Sequence, residues 1–137
     1  MNQIVVTGSC LCEKVRYSIT SEFQQFYFCH CKQCRKVTGS AFAANIQAKP
    51  AEITWISGAQ YVKRFDYLGE RLFTKVFCVE CGSGLPFLNK SGTKLFIPAG
   101  SLDSKPCILP GHNIFWDDRS SWYEAGLSAP RYEGFAE

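Results

Sequence analysis

The chain has 137 residues, 46% hydrophobic and 15% aromatic, with a formal charge of +3. That length and apolar content suit one domain, 1–137, with its own core, and no apolar run approaches the roughly 20 residues of a membrane span. The opening "MNQIVVTGSC" has no basic segment followed by an apolar one, so the expected location is the cytoplasm, where structural disulfides rarely persist.

The first feature along the chain is "GSCLC", which sets Cys10 and Cys12 two residues apart. "KVRYSIT" (Lys14 to Thr20) then alternates Val15, Tyr17 and Ile19 against Lys14, Arg16, Ser18 and Thr20, the period of a half-buried strand. A strand over Gln25–Cys29 runs into "FCHCKQCRK", where Cys29, Cys31 and Cys34 stand as C-x-C-x-x-C. A short helix is expected over Lys32–Val37, ended by Gly39. Strands follow at Ala41–Gln47, Glu52–Ser57 and Gln60–Tyr67, with "SGAQ" and "YLGER" reading as hairpin turns. "RLFTKVFC" (Arg71 to Cys78) alternates Leu72, Thr74 and Val76 against Phe73, Lys75 and Phe77. It ends in Cys78-Val-Glu-Cys81-Gly82, a knuckle that aims two sulfurs at one point, with a glycine free to turn left-handed. Leu85–Leu88, Lys94–Pro98 and Asn113–Trp116 are the last strand candidates, and glycines 58, 69, 84, 92 and 100 punctuate the series. No window holds a helical period over ten residues. The expected fold is mostly β, antiparallel, with metal sites at its turns.

Seven of the eight cysteines fall in these groups, and Cys107 stands apart. In a reducing compartment such clusters read as metal ligands, although an even count also permits disulfides. Metal-bound cysteines are thiolates. Seven thiolates and two Zn2+ cancel the formal +3, and most of the case for a nucleic-acid partner goes with it. A knuckle supplies half a tetrahedron, and Cys10 with Cys12 is the obvious other half for Cys78 and Cys81. That four-thiolate site is closed and structural.

Cys29, Cys31 and Cys34 remain as a three-ligand unit, the count of a catalytic zinc with an exchangeable fourth position. His30 points away from its neighbours in an extended segment. Cys107 in "KPCILPGH", or His112, would close the site if the loop folded over it. An electron-rich trithiolate centre favours a soft fourth ligand, and a substrate thiol fits. Bound as thiolate, it is a nucleophile for a small carbonyl such as formaldehyde. Lys32, Arg35 and Lys36 lie beside the ligands, able to offset charge or to remain a solvated basic turn. His112 reads as structural before it reads as a proton shuttle. Asp117 and Asp118 read as solvated or paired with Arg119, and Gly100, Ser101 and Asp103 as a plain turn. A second reading is a zinc-stabilised binding module without catalysis, supported by the basic and aromatic strand "YVKRFDY".

"GSCLCEKVRY", "CHCKQCRKVTGSAFAANI", "FCVECGSGLPF", "IPAGSLD" and "HNIFWDDRSSW" together resemble the glutathione-dependent formaldehyde-activating (GFA) family, which includes centromere-protein-V-like domains. The resemblance implies an Mss4-like β fold with two zinc ions per chain. It implies a structural zinc on Cys10, Cys12, Cys78 and Cys81, and a catalytic zinc on Cys29, Cys31 and Cys34. It further implies a carbon–sulfur lyase that makes S-(hydroxymethyl)glutathione, with glutathione and formaldehyde as small-molecule partners.

Overall fold

The computed structural model describes residues 3–69 and 71–136. The strands are β1 (Gln3–Ser9), β2 (Arg16–Cys29), β3 (Ala43–Ala48), β4 (Thr54–Ser57), β5 (Val62–Tyr67), β6 (Phe73–Cys78), β7 (Gly84–Leu85), β8 (Phe87–Leu88), β9 (Leu95–Pro98) and β10 (His112–Ile114). The helices are α1 (Lys32–Thr38) and α2 (Tyr123–Leu127), with single 3-10 turns at Ala59–Tyr61, Ala99–Ser101 and Trp116–Asp118. The fold is mostly β, as the strand periodicity requires. No helix is long and apolar enough to cross a membrane.

β2 organises the larger sheet. Its first half pairs with β1 and β4, and its second half with β3 and β10. A register shift between Phe23 and Gln25 separates the halves, so one long strand bends and serves two sets of neighbours. β9 and β8 extend the sheet beyond β3. A smaller sheet holds β5, β6 and β7. The alternating residues Val15, Tyr17 and Ile19 face inward and are buried with Val6, Ile46, Val76, Leu85, Leu95 and Ile97. Each buried aliphatic side chain of this kind contributes about 1.5–3 kcal/mol.

Several expectations shift. β1 lies outside the expected strands, and Val6 is fully buried there. "SGAQ" is no hairpin turn, because β4 pairs with β2 and β5 with β6. Gly58, at φ 76°, instead starts a 3-10 turn that carries the chain from the large sheet to the small one. A side chain there would collide with the Lys14 carbonyl. "YLGER" does join an antiparallel pair, β5 and β6; its Glu70 lies outside the described residues. Leu72 is exposed and precedes its strand. The strand expected over Asn113–Trp116 is His112–Ile114, and it runs parallel to β2, so the large sheet is not wholly antiparallel. Phe115 stops it by turning left-handed at φ 55°.

Candidate metal centre

The two knuckles of the four-cysteine cluster are built alike. Cys10 and Cys12 lie in the β1–β2 connection, Cys78 at the end of β6, and Cys81 in the turn to β7. In each knuckle the residue after the second cysteine is left-handed: Glu13 at φ 63° and Gly82 at φ 79°. In each, that residue's N–H donates back to the carbonyl of the first cysteine, at 3.0 Å to Cys10 and 2.7 Å to Cys78. The four sulfurs lie within 4.8 Å of one another, with Cys10 to Cys12 at 3.6 Å and Cys12 to Cys78 at 4.0 Å. Tetrahedral zinc with bonds near 2.3 Å sets its sulfurs about 3.8 Å apart, so the donor set fits. The Val15 N–H donates to the Cys10 sulfur at 3.3 Å. The Ser83 hydroxyl beside Cys81 helps draw that thiol down to about 5.

The second cluster is local. Cys29 ends β2, between Ala43 of β3 and Ile114 of β10. Cys31 caps α1, its sulfur accepting from the Cys34 N–H at 3.3 Å, and Gly39 closes the helix left-handed at φ 66°. This cap brings Cys34 back over Cys31. The three sulfurs lie within 4.8 Å of one another, and all three residues are buried. The hydrogen bond from Cys34, opposed by burial, draws the Cys29 thiol down to about 6. Cys34, holding the shared proton in a buried position, is pushed up.

Among the described residues the second cluster stops at three ligands. His30 is fully buried on the far side, its Nε2 2.9 Å from Asn113 Oδ1. The rings of Phe42, Trp116 and Tyr123 surround it. Cys107 is exposed, and His112 lies against the Tyr27 ring, so neither joins the sulfurs. Asp103 accepts from the Ser9 hydroxyl at 2.7 Å, and the Ser101 hydroxyl meets that of Tyr17 at 2.6 Å, so this turn serves the fold. Arg119 pairs with Glu124, not with Asp117 or Asp118.

Arg71 was not expected here. Burial alone would lower its pKa, but the facing sulfurs of Cys31, Cys29 and Cys34 raise it overall. Its guanidinium stacks 4.1 Å from the centre of the Phe115 ring. Only the hairpin that places Arg71 over the thiols reveals it; in sequence it is one more charge beside a turn. A cavity of about 630 Å³ opens beside the cluster, lined by Cys29, Cys34, Arg71, Lys90, Lys94 and a wall of aromatic rings that includes Tyr27, Phe73 and Phe96. Lys32 and Lys36 line a neighbouring groove of about 680 Å³ that contains none of the cysteines.

A mostly β domain with one four-cysteine and one three-cysteine cluster belongs to the class of small metal-binding β proteins. The family model described as "Glutathione-dependent formaldehyde-activating enzyme" matches residues 5–118, and the chain belongs to that family. A crystal structure of a Rhodobacter sphaeroides protein, a structural-genomics target, is similar at 19% identity and a TM-score of 0.51, over 74% of this chain and 91% of that one. That likeness speaks to the fold. No curated protein matches the chain.

Proposed function

We propose that the chain is a zinc-dependent carbon–sulfur lyase acting on a glutathione–formaldehyde-type thiol adduct. Cys10, Cys12, Cys78 and Cys81 hold a structural zinc in this reading, and Cys29, Cys31 and Cys34 a catalytic one. The observation that carries it is a three-sulfur cluster with no fourth ligand among the described residues, two of whose cysteines, Cys29 and Cys34, line an open cavity together with Arg71, Lys90 and Lys94. A site closed by a fourth protein ligand would favour the zinc-stabilised binding module instead.

When bound at Cys29, Cys31 and Cys34, zinc would supply a Lewis acid that keeps an incoming thiol deprotonated. Arg71 offsets the negative charge that collects on the sulfurs. In the synthetic direction the sulfur lone pair forms the C–S bond and the carbonyl π pair moves to oxygen. The proton released by the thiol ends on that oxygen, giving the hydroxymethyl thioether, and the lyase direction reverses each transfer. Family membership supports glutathione and formaldehyde as partners; nucleic acid has no role in this reading. The reducing cytoplasm is the proposed setting, since it keeps eight cysteines available as thiols.

Exchange NMR with 13C-formaldehyde and glutathione tests the activity against the spontaneous reaction. The two-zinc protein should accelerate exchange between free and adduct carbon, and Cys31→Ser should abolish the acceleration. Two bound zinc ions with exchange at the spontaneous rate would refute the proposal.

A further inference from the structure

The cavity beside Cys29 and Cys34 carries charge of one sign. Arg71, Lys90 and Lys94 line it, and among the described residues its wall contains no Asp or Glu. The chain has 12 acidic residues, so the asymmetry reflects placement and not scarcity. Asp66 feels the charge of Lys90, but it is committed to Arg64 at 3.0 Å and to the Thr74 hydroxyl at 2.7 Å.

The turn between β8 and β9 fixes where the two lysines stand. Asn89 Oδ1 accepts from the Thr93 N–H at 2.9 Å and the Lys94 N–H at 3.1 Å. The Asn89 N–H donates to the Lys94 carbonyl at 3.0 Å, and Gly92 turns the chain at φ 71°. This closed turn sets Lys90 and Lys94 on one rim, and neither forms an ion pair among the described residues. Three thiolates on Zn2+ carry a net negative charge, and a thiolate ligand adds another. Three cations exceed that sum, which leaves room for a further anionic group on the ligand. Among the described residues of the wall, an ammonium group would find no carboxylate to meet it.

Resting on the thiol-binding reading above, we infer that the cavity selects its thiol by an anionic tail held at Lys90 and Lys94, and that it sets no requirement for an amino group. The substrate class is then the acidic thiols. Glutathione is one member, and carboxylated thiols without an amine are others.

Calorimetric titration of the two-zinc protein at low ionic strength separates the possibilities. The probes are 3-mercaptopropionate, 2-mercaptoethanol and cysteamine, which differ in tail charge. 3-Mercaptopropionate should bind about fivefold to tenfold tighter than 2-mercaptoethanol, the gain expected for partly exposed charge-assisted contacts. Cysteamine should bind most weakly, and salt should shrink the spread. Lys90→Ala/Lys94→Ala should remove most of the 3-mercaptopropionate advantage, weakening 3-mercaptopropionate severalfold more than 2-mercaptoethanol. Equal affinities in the wild type, or cysteamine tightest, would overturn the inference while leaving thiol binding intact. An unchanged advantage in the double variant would overturn the assignment to these lysines. Should the variant misfold, the wild-type series decides. If no thiol binds with both zinc ions present, the thiol-binding reading falls and the inference with it.

Discussion

Peptide geometry decides which side chains of Cys29–Cys34 meet. In extended chain, side chains at i and i+2 share a side, so Cys29 and Cys31 converge and His30 faces the opposite side, away from the sulfurs. The helix that Cys31 caps then lifts Cys34 onto the same point. His30 uses its position differently: fully buried, with its hydrogen bond to Asn113 Oδ1, it ties the end of β2 to β10. Asn113→Ala should leave a buried ring nitrogen without its partner, at a cost of about 1–3 kcal/mol in chemical denaturation. Zinc retention at the three-cysteine site should weaken with it, because Cys29 and His30 share that strand end. Unchanged stability would show that water replaces the Asn113 contact.

At the scale of elements, local periodicity was legible and long-range pairing was not. Lys14–Thr20 has the burial that its alternation predicts, because a strand with one wet face records its own orientation. The short helix after Cys31 was legible from its composition and its closing glycine. The cysteine groups were legible because ligand spacing is a local constraint: Cys31 and Cys34 must sit one helical turn apart. "SGAQ" misled because a glycine turn between two strands does not say which neighbours they pair with. The direction of β10 was not legible, since parallel addition to β2 depends on a crossover that no local pattern records. Its end at Phe115 is a left-handed residue without the glycine that usually announces one. Arg71, Lys90 and Lys94 were missed for a related reason. They reach the cavity from the β5–β6 and β8–β9 turns, far in sequence from the cysteines, whereas adjacency favoured Lys32, Arg35 and Lys36. Of these, Lys32 and Lys36 face the next groove.

For the whole molecule, the two clusters differ in what they join. Cys10 and Cys12 belong to the large sheet's first hairpin, and Cys78 and Cys81 to the small sheet. A metal bound there would fasten the two sheets, aided by Lys14 to Glu80 at 2.7 Å and the Leu11 N–H to Ser83 Oγ at 3.0 Å. The ion pair is half-exposed and screened by solvent, so a metal bound there would carry most of the junction. A structural zinc supplies on the order of 10 kcal/mol in small domains, although this chain also has an apolar core. The three-cysteine cluster spans Cys29 to Cys34 and closes no long loop, so its loss removes little chain entropy from the unfolded state. Cys81→Ser should therefore unfold or aggregate the chain. Cys31→Ser should leave a folded β domain with one zinc fewer. Calorimetric melting alongside elemental zinc analysis checks both, and equal melting of the two variants would contradict this division of labour.

The central claim is that the three-cysteine centre takes its fourth ligand from a substrate thiol. Zinc-edge X-ray absorption counts that ligand directly. With both sites filled and tetrahedral, the mean sulfur count per zinc should be about 3.5 without thiol and rise toward about 4 when glutathione is added. A count already near 4 without thiol, and lowered by Cys107→Ala, would mean that the protein closes the centre itself, and the enzyme reading would give way to the zinc-stabilised binding module.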